Sequence, residues 1–138
     1  MDIRRLGPDD RESVLRAGYL FDAPPCREWT EDFLGKDGHH LLLAVVDGEP
    51  AGFISGVEVA HPDKPLEMML YELGVDDAYR RRGIGRALVD ALGALAADAG
   101  CSGMWVPVDA GNDAAIAFYL ACGAEAPEPA ATLWWSLT

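Results

Sequence analysis

Glu72 stands in the middle of an apolar, strand-like run, Leu66 to Val75, where a carboxylate is an unusual residue. Desolvation raises a carboxyl pKa toward the range in which it accepts a proton from an ammonium group, so Glu72 is a candidate general base. The plainer alternative is a solvent-facing strand residue. Period-two alternation sets Glu72 with Leu70 on one face and Tyr71 with Leu73 on the other, and the Leu70 neighbour argues for partial burial. Just downstream, Arg80-Arg81-Arg82-Gly83-Ile84-Gly85-Arg86 leads into a helix-like stretch, Ala87 to Ala97. Glycines let backbone approach an anion closely, and the free N–H groups of a helix start attract its charge. Arginines at a helix start oppose the helix dipole, a mismatch that an anion would relieve. The pattern describes a phosphate held beside a base.

Further candidates lie along the chain. Glu58 and Asp109 are carboxylates that would share an acceptor cleft with Glu72 and hold a cation, whereas Asp76 and Asp77, just before the arginines, are most simply their ion-pair partners. Asn112 opens a later helix after Gly111, where it serves either as a plain N-cap or as a partner for a bound group. Tyr119 on that helix is a candidate general acid, although its neighbour Phe118 also fits an aromatic core pair. His39, His40 and His61 read as surface histidines, and no Ser or Cys partner marks a hydrolase. Trp134 and Trp135 read as sealing the core and a sheet edge.

The arginine-glycine loop resembles the pyrophosphate loop of the GNAT superfamily of N-acetyltransferases. A second signature of that superfamily is matched by Asn112-Asp113-Ala114-Ala115-Ile116-Ala117-Phe118-Tyr119 with Gly123-Ala124, and the two together span about residues 66 to 126. The resemblance implies acetyl-CoA as cofactor. Its pyrophosphate would be held by Arg80, Arg81, Arg82, Gly83, Ile84, Gly85 and Arg86, and its pantetheine arm by the backbone of Leu73, Gly74 and Val75 with Asn112, Ala115 and Tyr119. Glu72 would be the base and Tyr119 the acid that protonates the thiolate.

Within the superfamily the chain is most similar to small aminoglycoside 3-N-acetyltransferases, through Leu20-Phe21-Asp22, Ala51-Gly52-Phe53, Tyr71-Glu72-Leu73-Gly74-Val75 and Val108-Asp109-Ala110-Gly111-Asn112. Asp22 joins Glu58, Glu72 and Asp109 as a substrate-binding carboxylate on that reading, and the acceptor is the 3-amine of an aminoglycoside antibiotic. Those enzymes carry Asp where Glu72 stands, so the carboxylate is kept on a longer arm. Other amines remain open as acceptors (a peptide N-terminus, a lysine, a polyamine), as does a non-catalytic acyl-CoA-binding module. The loop lacks the Lys-Ser or Lys-Thr of a nucleotide-binding P-loop.

The formal net charge of −12, from 11 Lys plus Arg against 23 Asp plus Glu, disfavours nucleic acid and favours a cationic substrate. No stretch reaches the ~20 apolar residues of a membrane span, and the start lacks the apolar run of a signal peptide, so a cytoplasmic protein is expected. Three distant cysteines, Cys26, Cys101 and Cys122, imply free thiols and no metal site. Dimerisation through the C-terminal strand or the acidic helices is open.

These residues must be positioned by a single domain spanning 1–138. Asp2 to Leu6 reads as a strand and Gly7-Pro8-Asp9-Asp10 as a helix start, with Val14, Leu15 and Tyr19 among its apolar positions. A second helix runs from Arg27 to Leu34, with Trp29 and Phe33 on one face. Leu41 to Val46 and Ala51 to Val59 form a hairpin across Asp47-Gly48-Glu49-Pro50. Leu66–Val75, Gly83–Ala97, Gly103–Val108 and Asn112–Ala121 then alternate strand and helix, and Thr132 to Leu137 reads as a closing strand. The fold class is α/β (α+β). The resemblance makes it a GNAT fold: a mixed, mostly antiparallel central sheet, helices on both faces, and a splayed parallel strand pair.

Overall fold

The computed structural model describes residues 1–138. The chain divides into two compact units, Met1–Val106 and Pro107–Thr138. In the first, strands β1 (Asp2–Arg5), β2 (His39–Val46), β3 (Glu49–Val59), β4 (Glu67–Val75) and β5 (Gly103–Trp105) form one sheet in that order. The first three pairings are antiparallel and β4 with β5 is parallel, the mixed sheet expected. Asp47 and Gly48, with φ of 51° and 79°, make a two-residue turn between β2 and β3. Asp-Gly suits that left-handed geometry, so Glu49 and Pro50 enter the strand and the loop is shorter than anticipated.

Helices α1 (Arg11–Arg16) and α2 (Arg27–Gly35) cover one face of this sheet, and α3 (Ile84–Asp98) packs on the other. Val14 and Leu34 meet Leu41, Leu43, Val45 and Phe53 beneath α1 and α2. On the far face, Gly52 and Gly56 let α3 settle against β3. A Cβ on Gly56 would stand 2.8 Å from Leu92 Cδ1 and 2.9 Å from Met68 Sδ. Tyr19 lies beyond α1, in a 3-10 turn over Gly18–Leu20, where its hydroxyl donates to the Pro50 carbonyl at 2.5 Å.

The register of β3 and β4 corrects the expected facing of Glu72. Ser55 pairs with Glu72 and Gly56 pairs with Leu70, so one step on β3 answers two on β4 and Tyr71 is the extra residue of a bulge. Leu70 follows Gly56 toward α3 and is buried, whereas Glu72 follows Ser55 toward α1 and α2. Residues two apart thus face opposite ways.

In the second unit, α4 (Asp113–Ala121) is closed by Gly123 at φ 101°. The Gly123 and Ala124 amides donate to the carbonyls of Leu120 and Tyr119, each at 3.0 Å, satisfying the helix end. No strand forms over Thr132 to Leu137, against expectation. Strand propensity needs a ladder, and this unit contains no other strand to pair with it. Trp134 and Trp135, 87% and 74% exposed, seal no core.

Candidate active site

The bulge carries Glu72 into a cavity of about 270 Å³ between the sheet and the α1–α2 layer. Ser55 and Glu72 form its floor, and Phe21, Phe33, Leu34 and Leu41 are among its walls. Trp29 and Phe33 line it together, as their four-residue spacing anticipated, with Trp29 73% exposed. A bulge leaves a strand amide without its ladder partner, and here the Glu72 N–H donates to Ser55 Oγ at 3.1 Å. Ser55 is buried and fixes the strand at the base of the carboxylate. Its only signal in the sequence is a lone hydroxyl inside the apolar run of β3.

The Glu72 carboxyl is held above its ordinary value, first by desolvation in the cavity and then by repulsion from the Asp22 carboxylate. Asp22 is itself exposed. The pair offers a charge that stays in water to attract an ammonium group and a half-buried one to take its proton.

Glu58 does not join them. Because β3 alternates regularly from Ser55 to Glu58, Glu58 faces with Gly56 away from Ser55, and its Oε2 lies 2.5 Å from His40 Nε2. Arg5 Nη2 donates to His40 Nδ1 at 2.9 Å, so Nδ1 is the acceptor and Nε2–H donates to Glu58. His40 is therefore a buried bridge between strands and not a surface histidine. His61 is likewise engaged, with Glu67 at 2.7 Å.

Along β4 the cavity leads to an open backbone edge. Pairing with β5 stops at Met69 and Trp105, so Leu70 to Val75 have no strand partner on that side. The edge runs to the start of α3. Arg81 adopts φ 63° and Gly83, the N-cap, φ 77°, and no side chain caps the helix. Its first turn contains no acid, whereas α1, α2 and α4 carry Glu12, Glu28 and Asp113 there. The amides at Ile84, Gly85 and Arg86 therefore present uncompensated positive potential. Arg80 pairs with Asp77 at 2.9 Å and Arg82 lies 5.3 Å from the Tyr79 ring centroid. Asp76 caps the Ala78 amide at 2.9 Å instead of pairing with an arginine. Arg86 reaches Asp90 only at 4.0 Å, and Arg81 makes no ion pair. A pyrophosphate fits these groups.

In the second unit Asn112 caps α4, its Oδ1 accepting from the Ala115 amide at 3.1 Å. Its Nδ2 remains as a donor. Tyr119 is half-buried, edge-to-face with Phe118 at 5.2 Å. Its phenol is pushed above the usual value, first by desolvation and then by Cys122, and so holds its proton at neutral pH. The carbonyl of Asp109, an exposed residue, accepts from the Asn112 amide at 2.9 Å.

Residues 9–124 match the Acetyltransferase (GNAT) family. An L-2,4-diaminobutyric acid acetyltransferase of Streptomyces avermitilis is 32% identical over 111 residues, 80% of this chain and 56% of that protein. The chain thus spans about half the length of this relative. The fold matches an aminoglycoside acetyltransferase from an uncultured soil metagenomic sample, in complex with sisomicin, with a TM-score of 0.91 at 20% identity over 99% of this chain and 96% of that one. It also matches aminoglycoside N-acetyltransferase AAC(6′)-Iy in complex with CoA, with a TM-score of 0.81 at 21% identity over 99% and 95% of the two chains.

Proposed function

The chain belongs to the GNAT acetyltransferase family, and from that premise we propose that it transfers an acetyl group from acetyl-CoA to a primary amine bound at Glu72. The observation that carries this reading is the placement of Glu72. One bulge sets a desolvated carboxylate in a cavity beside an unpaired strand edge that ends at an uncapped helix start. Acetyl-CoA supplies an activated thioester. The α3 amides with Arg81, Arg82 and Arg86 hold its pyrophosphate, and the Leu73 to Val75 backbone pairs with the arm. Asn112 Nδ2 is the side-chain donor proposed for that arm, and one catalytic domain is proposed to span 1–138.

Glu72 takes a proton from the ammonium group, drawn in by Asp22 and Asp109. The freed lone pair attacks the thioester carbon, so a C–N bond forms as the C–S bond breaks. Tyr119 gives its proton to the departing sulfur and recovers one from the acylated nitrogen, while Glu72 releases its own to water. Transfer is direct. Cys26 lies in the cavity, but its sulfur accepts the Trp29 amide at 3.5 Å and no histidine hydrogen-bonds it, so it lacks an activating base.

An aminoglycoside 3-amine is the acceptor that the sequence resemblance implies, with antibiotic resistance as its consequence. The net charge and the sisomicin-bound neighbour support that class. The diaminobutyric acid relative supports a smaller amine. The test is free-thiol release from acetyl-CoA over aminoglycosides, diamino acids, polyamines and amine-bearing peptides, with the acetylated atom mapped in each product. Release with any amine that is lost in Glu72→Gln establishes the transferase. Tight CoA binding without release from any of them points to an acyl-CoA sensor.

A further inference from the structure

Resting on the transferase reading but setting aside its aminoglycoside acceptor in favour of a smaller amine, we infer that the acceptor is an amphipathic primary amine with a ring-sized apolar group a few carbons from its nitrogen, and that polyhydroxylated amines are poor fits. The cavity beside Glu72 is walled by carbon. Phe21, Phe33, Leu34 and Leu41 face it, and Trp29 stands at its open side. Its polar side chains are few. Ser55 Oγ receives the Glu72 amide at 3.1 Å, Glu72 itself is the proton acceptor, and Thr30 is buried in α2.

A polyol entering such a space would exchange water for carbon at each hydroxyl, and an unpaired buried hydroxyl is costly. A triaminated sugar would also bring more ammonium groups than the half-buried Glu72 and the exposed Asp22 can compensate. The volume of about 270 Å³ points the same way. It falls just below the range of drug-sized sites, roughly 300–1,000 Å³, and offers room between its walls for one ring on a short arm. Trp29 supplies what a ring on such an amine would meet. It is a large, mostly exposed aromatic at a cavity mouth, where a stacking or edge contact is gained without disturbing the core.

The experiment compares phenethylamine and leucinamide with spermidine, diaminobutyrate and kanamycin, by thiol release and by calorimetric binding, in the wild-type protein, Trp29→Ala and Glu72→Gln. The wild-type protein is expected to prefer phenethylamine over a linear amine of similar basicity by about 30-fold in kcat/KM, the advantage of burying one ring. Trp29→Ala, at an exposed position, is expected to raise KM for phenethylamine about tenfold with kcat and KM for acetyl-CoA nearly unchanged. Kanamycin or spermidine matching phenethylamine in both kcat/KM and affinity, indifferent to Trp29→Ala, would overturn the inference. Aralkylamine binding that responds to Trp29→Ala without thiol release from any amine would uphold the acceptor class and strike the transferase reading instead.

Discussion

Replacing Glu72 with Gln separates what this carboxylate does for catalysis from what it does to the fold. The substitution keeps the shape and the backbone bond to Ser55 while removing the proton acceptor. A positioned general base contributes about 10²- to 10⁴-fold, or roughly 3–5 kcal/mol of barrier, so kcat for a protonated amine near pH 7 should fall by at least about 100-fold. The loss should narrow as pH rises toward the pKa of the amine, because solution then supplies the free base. KM for acetyl-CoA should hardly move, since Glu72 is not among the pyrophosphate-holding groups. Stability should move the other way. The folded-state pKa of Glu72 is raised, so the folded protein binds this proton more tightly than the unfolded chain. Its contribution is fully present below the unfolded pKa and is lost as pH climbs through the folded one. At neutral pH the ionised group is a liability in the cavity, and Glu72→Gln should melt no lower than wild type and higher if anything. Stopped-assay pH profiles from pH 6 to 10, with calorimetric melting of both proteins at pH 7, read all three. Turnover unchanged at neutral pH would remove Glu72 from the mechanism, and a lower Tm would show that its charge is compensated within the cavity.

Three other perturbations follow from the same geometry. Gly74→Ala puts a Cβ 2.8 Å from Phe53 Cε1 and 3.0 Å from the Leu20 carbonyl, and Phe53 is buried and stacked on Phe21 at 4.2 Å, so we expect about 1–3 kcal/mol of destabilisation by denaturant titration. Arg81→Ala should raise KM for acetyl-CoA a few-fold, with an effect that shrinks in high salt and a kcat that barely changes, as steady-state kinetics at two ionic strengths will show. Glu58→Gln should leave KM for the amine where it was while weakening the bond to His40, because Glu58 faces away from the cavity; a tenfold rise in KM at unchanged Tm would return it to the acceptor site.

The sequence made the anion loop legible because its signal is local. Arg80 to Arg86 sit between a strand and a helix, and the structure leaves that helix start uncapped and free of acids. The Trp29–Phe33 face and the Asn112 cap were legible for the same reason, since each depends on neighbours within one helical turn. What failed was what depends on pairing. Tyr71 looks like any strand residue, and only the register against Ser55 and Gly56 reveals it as a bulge. Alternation carried past that point places Leu70 and Glu72 together, and carried along β3 it says nothing of which partner Glu58 will find. His40 reads as polar until β1 brings Arg5 beside it. The run from Thr132 to Leu137 shows the converse error, with strand-forming residues that have no ladder to join.

The bulge explains why one strand serves two purposes that regular alternation would set against each other. Were Tyr71 an ordinary ladder residue, regular alternation would put Glu72 on the Leu70 side, packed against the apolar face of α3 at Leu88 and Leu92, where a carboxylate has no partner and costs several kcal/mol to bury. With the bulge, Leu70 and Met68 keep the α3 side sealed while Glu72 opens onto the α1–α2 cavity. The same residue breaks the ladder locally, and Ser55 restores the lost bond with its hydroxyl instead of a backbone carbonyl. β4 therefore remains held along β3, while its other edge, left unpaired beyond Met69 where β5 ends at Trp105, is open to an extended ligand. The facing of the base follows from looping Tyr71 out of the β3 register, and the open backbone edge beside it from β5 ending at Trp105.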